Sequence, residues 1–319
     1  RLYDAREDVV PVYRYATPEV VATTGVMEEP GRRQELVQLP PTFDPTQGEL
    51  VVQLYGTLLG ATQEALGYLE HYPYECTEQT VSRFLPNVVT YRALQEWGVA
   101  EPELRAQLEA LVALATQRLY TQQHYDGGWG WWTTDESQIT LTAYALHGLL
   151  EAHRAGFAVD TDVMARAVGY LRENLPSITA ETDAVVANRL AYTLYVLGEY
   201  TGVFGEEVGE GELGRANQLF ASRRLLDQYG QAFLAMALHT LAPEASSRVE
   251  TLLSELLDHA ILSATGTHWE EARPDYWNMS TDVRSTAIVL WTLAQLQPDS
   301  PELANGVRWL MAGRREGYW

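Results

Sequence analysis

From about Leu54 onward, apolar residues recur at i, i+3 and i+4, as in Leu104, Leu108, Leu111, Leu114 and Leu119, the spacing that lines one face of a helix. This period predicts helices near 56–70, 77–97, 101–123, 138–155, 161–174, 180–200, 212–228, 230–241, 245–263, 280–296 and 301–314. Breakers separate them: Glu101-Pro102, Asp126-Gly127-Gly128, Leu175-Pro176, Ala242-Pro243 and the stretch from Pro298 to Pro301. Two kinds of helix alternate. Thr142 to Leu146 and Ala232 to Leu238 are apolar and small over most of their surface, whereas Ala100 to Gln107 is charged on one side. A helix apolar all round must be buried on all sides. The alternation therefore fits an α/α toroid, a ring of helical hairpins with inner helices enclosed by outer ones. Three apolar helices share a weak internal repeat, Leu-Thr-Ala-Tyr-Ala-Leu at 141–146, Arg-Leu-Ala-Tyr-Thr-Leu at 189–194 and Ser-Thr-Ala-Ile-Val-Leu at 285–290.

The first 50 or so residues follow another pattern. Val9 to Tyr13 and Val20 to Thr24 are rich in β-branched residues, Glu35 to Leu39 and Glu49 to Val52 look alike, and Pro and Gly punctuate the whole. They predict strands or an extended arm, so the chain divides into a β-rich segment, 1–52, and a helical domain, 53–319.

The densest chemistry lies at Tyr72-Pro73-Tyr74-Glu75-Cys76-Thr77-Glu78-Gln79-Thr80, which holds the single cysteine of the 319 residues. A lone cysteine makes no internal disulfide. It stands three positions ahead of Gln79, an i, i+3 spacing that puts both side chains on one face of a helical turn. Attack of the thiol on the glutamine carboxamide would expel ammonia and leave an internal thioester. Pro73 stands upstream, Thr77 is the expected N-cap, and the unpaired N–H groups of a helix start favour a thiolate. The plain alternative is a buried cysteine packed as a small hydrophobe.

The run from Tyr72 to Asn87, YPYECTEQTVSRFLPN, closely resembles the thioester segment of the α2-macroglobulin family, and most nearly its bacterial members. The resemblance covers roughly 55–319. It implies that Cys76 and Gln79 form the thioester, with Glu78 as the acidic residue between them. One departure is visible: the residue before the cysteine is usually glycine and here is Glu75. The family's thioester domain is an α/α toroid inserted into a CUB-type sandwich. The expected architecture is thus mainly α, with 1–52 as part of a CUB-like domain. The implied function is that of a protease trap. After cleavage of a bait region elsewhere, the thioester acylates lysine amines of the protease once, without turnover, so the protein is an inhibitor and not an enzyme. A periplasmic or extracellular place at the cell envelope is implied too, with target proteases and the other domains of a parent chain as partners.

An unreacted thioester must be kept from water. The aromatics expected to shield it are Tyr72, Tyr74, Trp129, Trp131, Trp132, Tyr276 and Trp277, with Trp129 to Trp132 on the glycine-rich stretch Asp126-Gly127-Gly128-Trp129-Gly130-Trp131-Trp132. That stretch is equally a loop that plugs the ring with tryptophan. Complement-like relatives carry a catalytic histidine in the following segment. Residues 133–140 read Thr-Thr-Asp-Glu-Ser-Gln-Ile-Thr, and His124 does not match that position, which implies a preference for amines. His268-Trp269-Glu270-Glu271 resembles the family's Trp-Glu segment, or is simply structural.

Composition trims the alternatives. The net charge of −21 argues against nucleic acid and against membrane contact by this segment. Hydrophobic residues at 46% suffice for a core. No apolar run has the length of a membrane span, and the chain opens at Arg1 without a signal peptide, as expected of a piece of a longer protein. There is no lysine at all: this reflects either biased base composition or the benefit of lacking amines beside an acylating bond. No metal-ligand spacing and no phosphate loop is found, and no cofactor is expected. Two other classes stay open. Asp126 to Gly130 looks like a triterpene-cyclase repeat, but the acidic motif of those enzymes is absent from the nearest run, Asp160-Thr161-Asp162-Val163. Glu78, Asp135 or Glu136 could serve a toroidal glycosidase. An interaction module with an inert cysteine is the third class.

Overall fold

The computed structural model describes residues 21–56 apart from 22, 26, 28, 29, 45 and 47, then 76–98, 102–273 and 275–314. The expected helix at 56–70, the run Val9 to Tyr13, and Tyr72, Tyr74 and Glu75 lie outside the described residues.

Among the described residues ten α-helices follow one another: α1 (Thr77–Glu96), α2 (Pro102–Gln122), α3 (Ile139–Arg154), α4 (Thr161–Glu173), α5 (Ala184–Phe204), α6 (Glu210–Ala221), α7 (Gln228–Leu241), α8 (Ser246–Asp258), α9 (Asp282–Leu296) and α10 (Glu302–Ala312). The alternation read from the sequence is physical. In α3, every residue from Leu141 to Ala152 except Tyr144 is buried, and α7 is buried from Tyr229 to Leu238. The even-numbered α4 and α8 bury only a stripe, such as Val249, Leu252, Leu253 and Leu256. The odd-numbered helices pack in sequence, α1 on α3, α3 on α5, α5 on α7, α7 on α9, and each even-numbered helix backs an odd-numbered neighbour. This is an α/α toroid.

Because each outer helix returns the chain, the inner helices run parallel and their N-termini share one face. Hydrogen bonds tie these ends together. Asn188 of α5 donates to Asp227 just before α7 (2.6 Å), Tyr229 of α7 to Asp275 (2.9 Å), and Asn278 to the Val185 carbonyl of α5 (3.1 Å).

The middle of the ring is filled with aromatics. His147 of α3 stacks on Trp291 of α9 at 6.0 Å, Tyr195 of α5 meets the same indole edge-on at 5.4 Å, and Tyr192 contacts Phe233 of α7 at 4.9 Å. One buried charge is also shared between helices. Glu151 of α3, 2% exposed, accepts from Arg92 of α1 (2.5 Å) and from Arg154 (2.7 Å), and Arg154 also pairs with Glu199 of α5 (2.5 Å).

The internal repeat has a structural cause. Trp129 lies before α3 and Trp269 before α9, both with no exposed surface. The backbone N–H of Trp129 donates to Thr142 Oγ1 (2.9 Å) and its indole to the Leu119 carbonyl at the end of α2 (2.8 Å). Trp269 does the same with Thr286 (3.0 Å) and the Leu256 carbonyl of α8 (2.7 Å). Each indole adds a second donor to a carbonyl near an outer helix's end, where Gln123 N–H (3.0 Å) and His259 N–H (3.2 Å) already donate, and each threonine of the repeat anchors the tryptophan's backbone. In the middle copy Leu190 replaces the threonine.

Several boundaries differ from the sequence expectation. The helix expected over 212–228 ends at Ala221, and a 3₁₀ turn at Arg223–Leu225 separates it from α7. The helix expected over 245–263 ends at Asp258, because Ile261–Ser263 (β1) turns back on Gly266–His268 (β2) as an antiparallel hairpin, Ile261 opposite His268. The helix expected from 180 begins at Ala184, where the Asp183 carboxylate accepts from Val186 N–H (2.9 Å). Glu35 to Leu39 and Glu49 to Val52 form no strand among the described residues, and Leu36, Leu50, Val52 and Leu54 stand exposed.

Candidate functional site

The first turn of α1 carries the site. Its inward face is set by Thr77, Thr80, Val81, Phe84, Val88 and Tyr91, spaced to face α3. The crossing is close: a Cβ on Gly148 of α3 would stand 2.9 Å from both Phe84 and Val81. Packing at this crossing fixes where the helix starts.

Cys76, and not Thr77, is the N-cap. Its backbone is extended (φ −70°, ψ 170°), and its carbonyl accepts both the N–H and the hydroxyl of Thr80, each at 2.9 Å. Thr77 is the first helical residue because its hydroxyl is used elsewhere. It donates across 53 residues to the Gly130 carbonyl (2.7 Å), and the Thr77 N–H donates to the Trp131 carbonyl (3.2 Å). A donating hydroxyl tied to another loop does not cap its own helix.

Cys76 and Gln79 therefore stand at N-cap and N3. That is the spacing of a capping box, in which the N3 side chain folds back toward the N-cap residue. A thiol and a carboxamide at these positions share the first turn of the helix. Cys76 is 5% exposed and unpaired with any other cysteine. Gln79 Oε1 is buried without a hydrogen-bond partner, an unusual state for an amide oxygen.

Glu78, which precedes Gln79, is held by a residue one turn further along the helix. Its Oε1 accepts from Ser82 Oγ (2.6 Å), and Ser82 Oγ meets the Tyr144 hydroxyl of α3 at 3.0 Å. Burial pushes the Tyr144 phenol up to about 12, so it stays a neutral donor. Ser82 and Tyr144 were not singled out from the sequence. The i, i+4 spacing of Glu78 and Ser82 was the available signal for one of them.

The loop that meets Thr77 is rigid. Gly127 has φ 89°, and a Cβ there would stand 2.4 Å from the Arg166 carbonyl. Asp126 Oδ1 accepts from Gly128 N–H (2.9 Å) and Ser137 Oγ (2.8 Å), and Asp135 accepts from Trp132 N–H (3.2 Å). Of the expected shielding aromatics, Trp129 anchors the loop from inside the core, while Trp131 and Trp132 remain 38% and 48% exposed beside the contact with α1. Tyr276 is 84% exposed in the 3₁₀ turn before α9, and no hydrogen bond or ring contact joins it to α1 among the described residues. Tyr72, Tyr74 and the Trp277 side chain lie outside the described residues. His124 Nδ1 pairs with Ser137 Oγ (2.8 Å) at the loop's base. Among the described residues no His, Cys, Asp and Glu side chains gather to hold a metal ion, and no helix is long and apolar enough to cross a membrane.

The sequence matches the family described as the A-macroglobulin TED domain over residues 49–317. The chain belongs to that family. Similar curated proteins include the α2-macroglobulin of Thermotoga maritima, 33% identical over 141 residues, which are 44% of this chain and 8% of the relative. That of Escherichia coli K12 is 31% identical over 161 residues, 48% of this chain and 9% of the relative. The matched segments of this A-macroglobulin TED domain thus span less than a tenth of the length of these relatives. Among solved structures it is similar to native E. coli α2-macroglobulin from domain MG7 to the C-terminus, with TM-score 0.57, 21% identity, and 81% of this chain and 39% of that one covered. It is also similar to Salmonella α2-macroglobulin reacted with methylamine, with TM-score 0.60, 22% identity, and 79% of this chain and 16% of that one covered. At these identities the structural likeness shows the fold, and the toroid is the same in kind.

Proposed function

We propose that this TED domain carries an internal thioester between Cys76 Sγ and the Gln79 side-chain acyl carbon, and that it serves a bacterial α2-macroglobulin-like protease trap. The observation that carries the reading is the placement of Cys76 at N-cap and Gln79 at N3 of one buried helix start, with the Gln79 oxygen unpartnered. Formation is balanced: thiol plus carboxamide gives thioester plus ammonia. When a primary amine attacks the acyl carbon, a C–N bond forms, the C–S bond breaks, and Cys76 returns as a thiol.

The proposed targets are lysine amines of a protease that has cut a bait region elsewhere in the parent chain. The reaction happens once per molecule, which makes the domain a covalent inhibitor and not a turnover enzyme. Support for amines over hydroxyls comes from the loop beside α1. Residues 133–140 contain no histidine, His124 is engaged with Ser137, and His147 is stacked inside the ring. The proposed site of action is the periplasm or the extracellular side of the envelope, with 1–52 forming part of a CUB-like domain together with other segments of the parent. The similar Salmonella protein is one reacted with methylamine, which supports the same probe here.

Intact mass of freshly purified chain tests the reading. The mass should fall short of the sequence mass by one ammonia, methylamine should add its own mass and release a titratable thiol, and Cys76→Ala should abolish both. A full-mass protein whose thiol titrates without methylamine would leave an inert buried cysteine.

A further inference from the structure

We propose that Ser82 and Tyr144 are positioning residues that hold the Glu78 carboxylate as proton acceptor for the amine that attacks the Gln79 acyl carbon. This rests on the thioester reading above. The direction of the hydrogen bonds is fixed by chemistry. The Ser82 proton is given to Glu78 Oε1 at 2.6 Å, so in the 3.0 Å contact the Tyr144 hydroxyl is the donor and Ser82 Oγ the acceptor. A neutral phenol thus feeds a hydroxyl that feeds a carboxylate, and the chain spans from α3 to the first turn of α1.

An attacking amine becomes an ammonium on the tetrahedral adduct and must lose one proton, while the departing sulfur must gain one. Glu78 lies within the ring that the thioester would close, between Cys76 and Gln79. Thr77, the other residue inside that ring, has its hydroxyl committed to Gly130. Glu78 Oε1 is occupied by Ser82, and Oε2 is the oxygen left to take the proton from nitrogen and return it to Sγ. The balance is amine plus thioester to amide plus thiol, with the carboxylate regenerated. The charged and titratable groups that bear on this chain are Tyr144 from α3 and, acting on the phenol from α9, Arg284.

The test uses the full 319-residue chain with methylamine as the probe, read by thiol release and by mass across neutral to mildly alkaline pH. Tyr144→Phe and Ser82→Ala should both retain the ammonia deficit. Both should react with methylamine roughly tenfold or more slowly, with an altered pH–rate profile, because positioned acid–base groups are worth about 10²–10⁴-fold in rate. Ser82→Thr, which keeps the hydroxyl, should restore most of the rate. If these variants keep the deficit and react at the wild-type rate with the wild-type pH profile, the proposal is overturned while the thioester stands. A wild type of full mass overturns both.

Discussion

The Thr77 hydroxyl donates to the Gly130 carbonyl at 2.7 Å, joining the first turn of α1 to the tryptophan loop 53 residues away. Through this bond the loop's position and the helix start are one unit. Replacing Thr77 by Val keeps its shape and strands the Gly130 carbonyl in a buried place. The expected cost is about 1–3 kcal/mol in urea unfolding. Methylamine-independent loss of the ammonia deficit should also quicken, as water gains the turn; unchanged stability and lifetime would remove the loop from this role.

Trp129 and Trp269 make the same pair of hydrogen bonds at opposite stations of the ring, yet only Trp129 belongs to the loop that touches Thr77. Trp129→Phe and Trp269→Phe should each destabilise by about 0.5–1.5 kcal/mol, since each removes one hydrogen bond from a carbonyl that keeps its backbone donor. Only Trp129→Phe should shorten the lifetime of the ammonia-deficient species, measured by mass over time at fixed pH.

Glu151 is a buried carboxylate that holds Arg92 of α1 and Arg154 of α3. Glu151→Ala removes the common partner of two cations that keep Glu96 and Glu199, and should cost about 1–3 kcal/mol. Glu151→Gln, which can still accept hydrogen bonds, should cost less. Equal and negligible losses in thermal melts would show that the ion pairs are idle.

His147 lies between Trp291, Tyr195 and Tyr192, and burial pushes its imidazole down to about 4 from 6.5. The sign follows from proton counting. Between these values the unfolded chain holds more protons than the folded one, so stability rises with pH across about 4 to 6.5 and is lost as pH falls through that window. The amount is on the order of 3 kcal/mol. His147→Phe, which keeps an aromatic ring against Trp291, should flatten this part of the stability–pH curve. A curve of unchanged slope there would place the titration elsewhere.

Much of this protein was legible in one dimension because inner and outer helices differ in how much of their circumference is apolar. That difference is written residue by residue in α3 and α7 against α4 and α8. The thiol and carboxamide could also be paired on paper, since N-cap to N3 is a local spacing and one turn suffices to bring them together. Register at the helix ends was less visible. Thr77 reads as a cap by type, and only the Gly130 carbonyl, delivered by a distant loop, takes its hydroxyl away. The hairpin Ile261–Ser263 with Gly266–His268 was read as helix for a similar reason: its pairing and its packing on α10 are not encoded in local apolar spacing. The Glu35 to Leu39 run shows the converse, a sequence suited to a strand that forms none among the described residues.

Local periodicity thus determined the helices, their alternation and the one-turn spacing of Cys76 and Gln79, because each depends on residues within a few turns of one another. Tertiary structure decided what surrounds that pair: the clamp of Thr77 on Gly130, the reach of Tyr144 to Ser82 and Glu78, and the burial of Trp129 in the core. The first two are contacts between segments 53 and 62 positions apart, and no spacing rule in a single chain fixes which distant side chain arrives at a given hydrogen-bonding group.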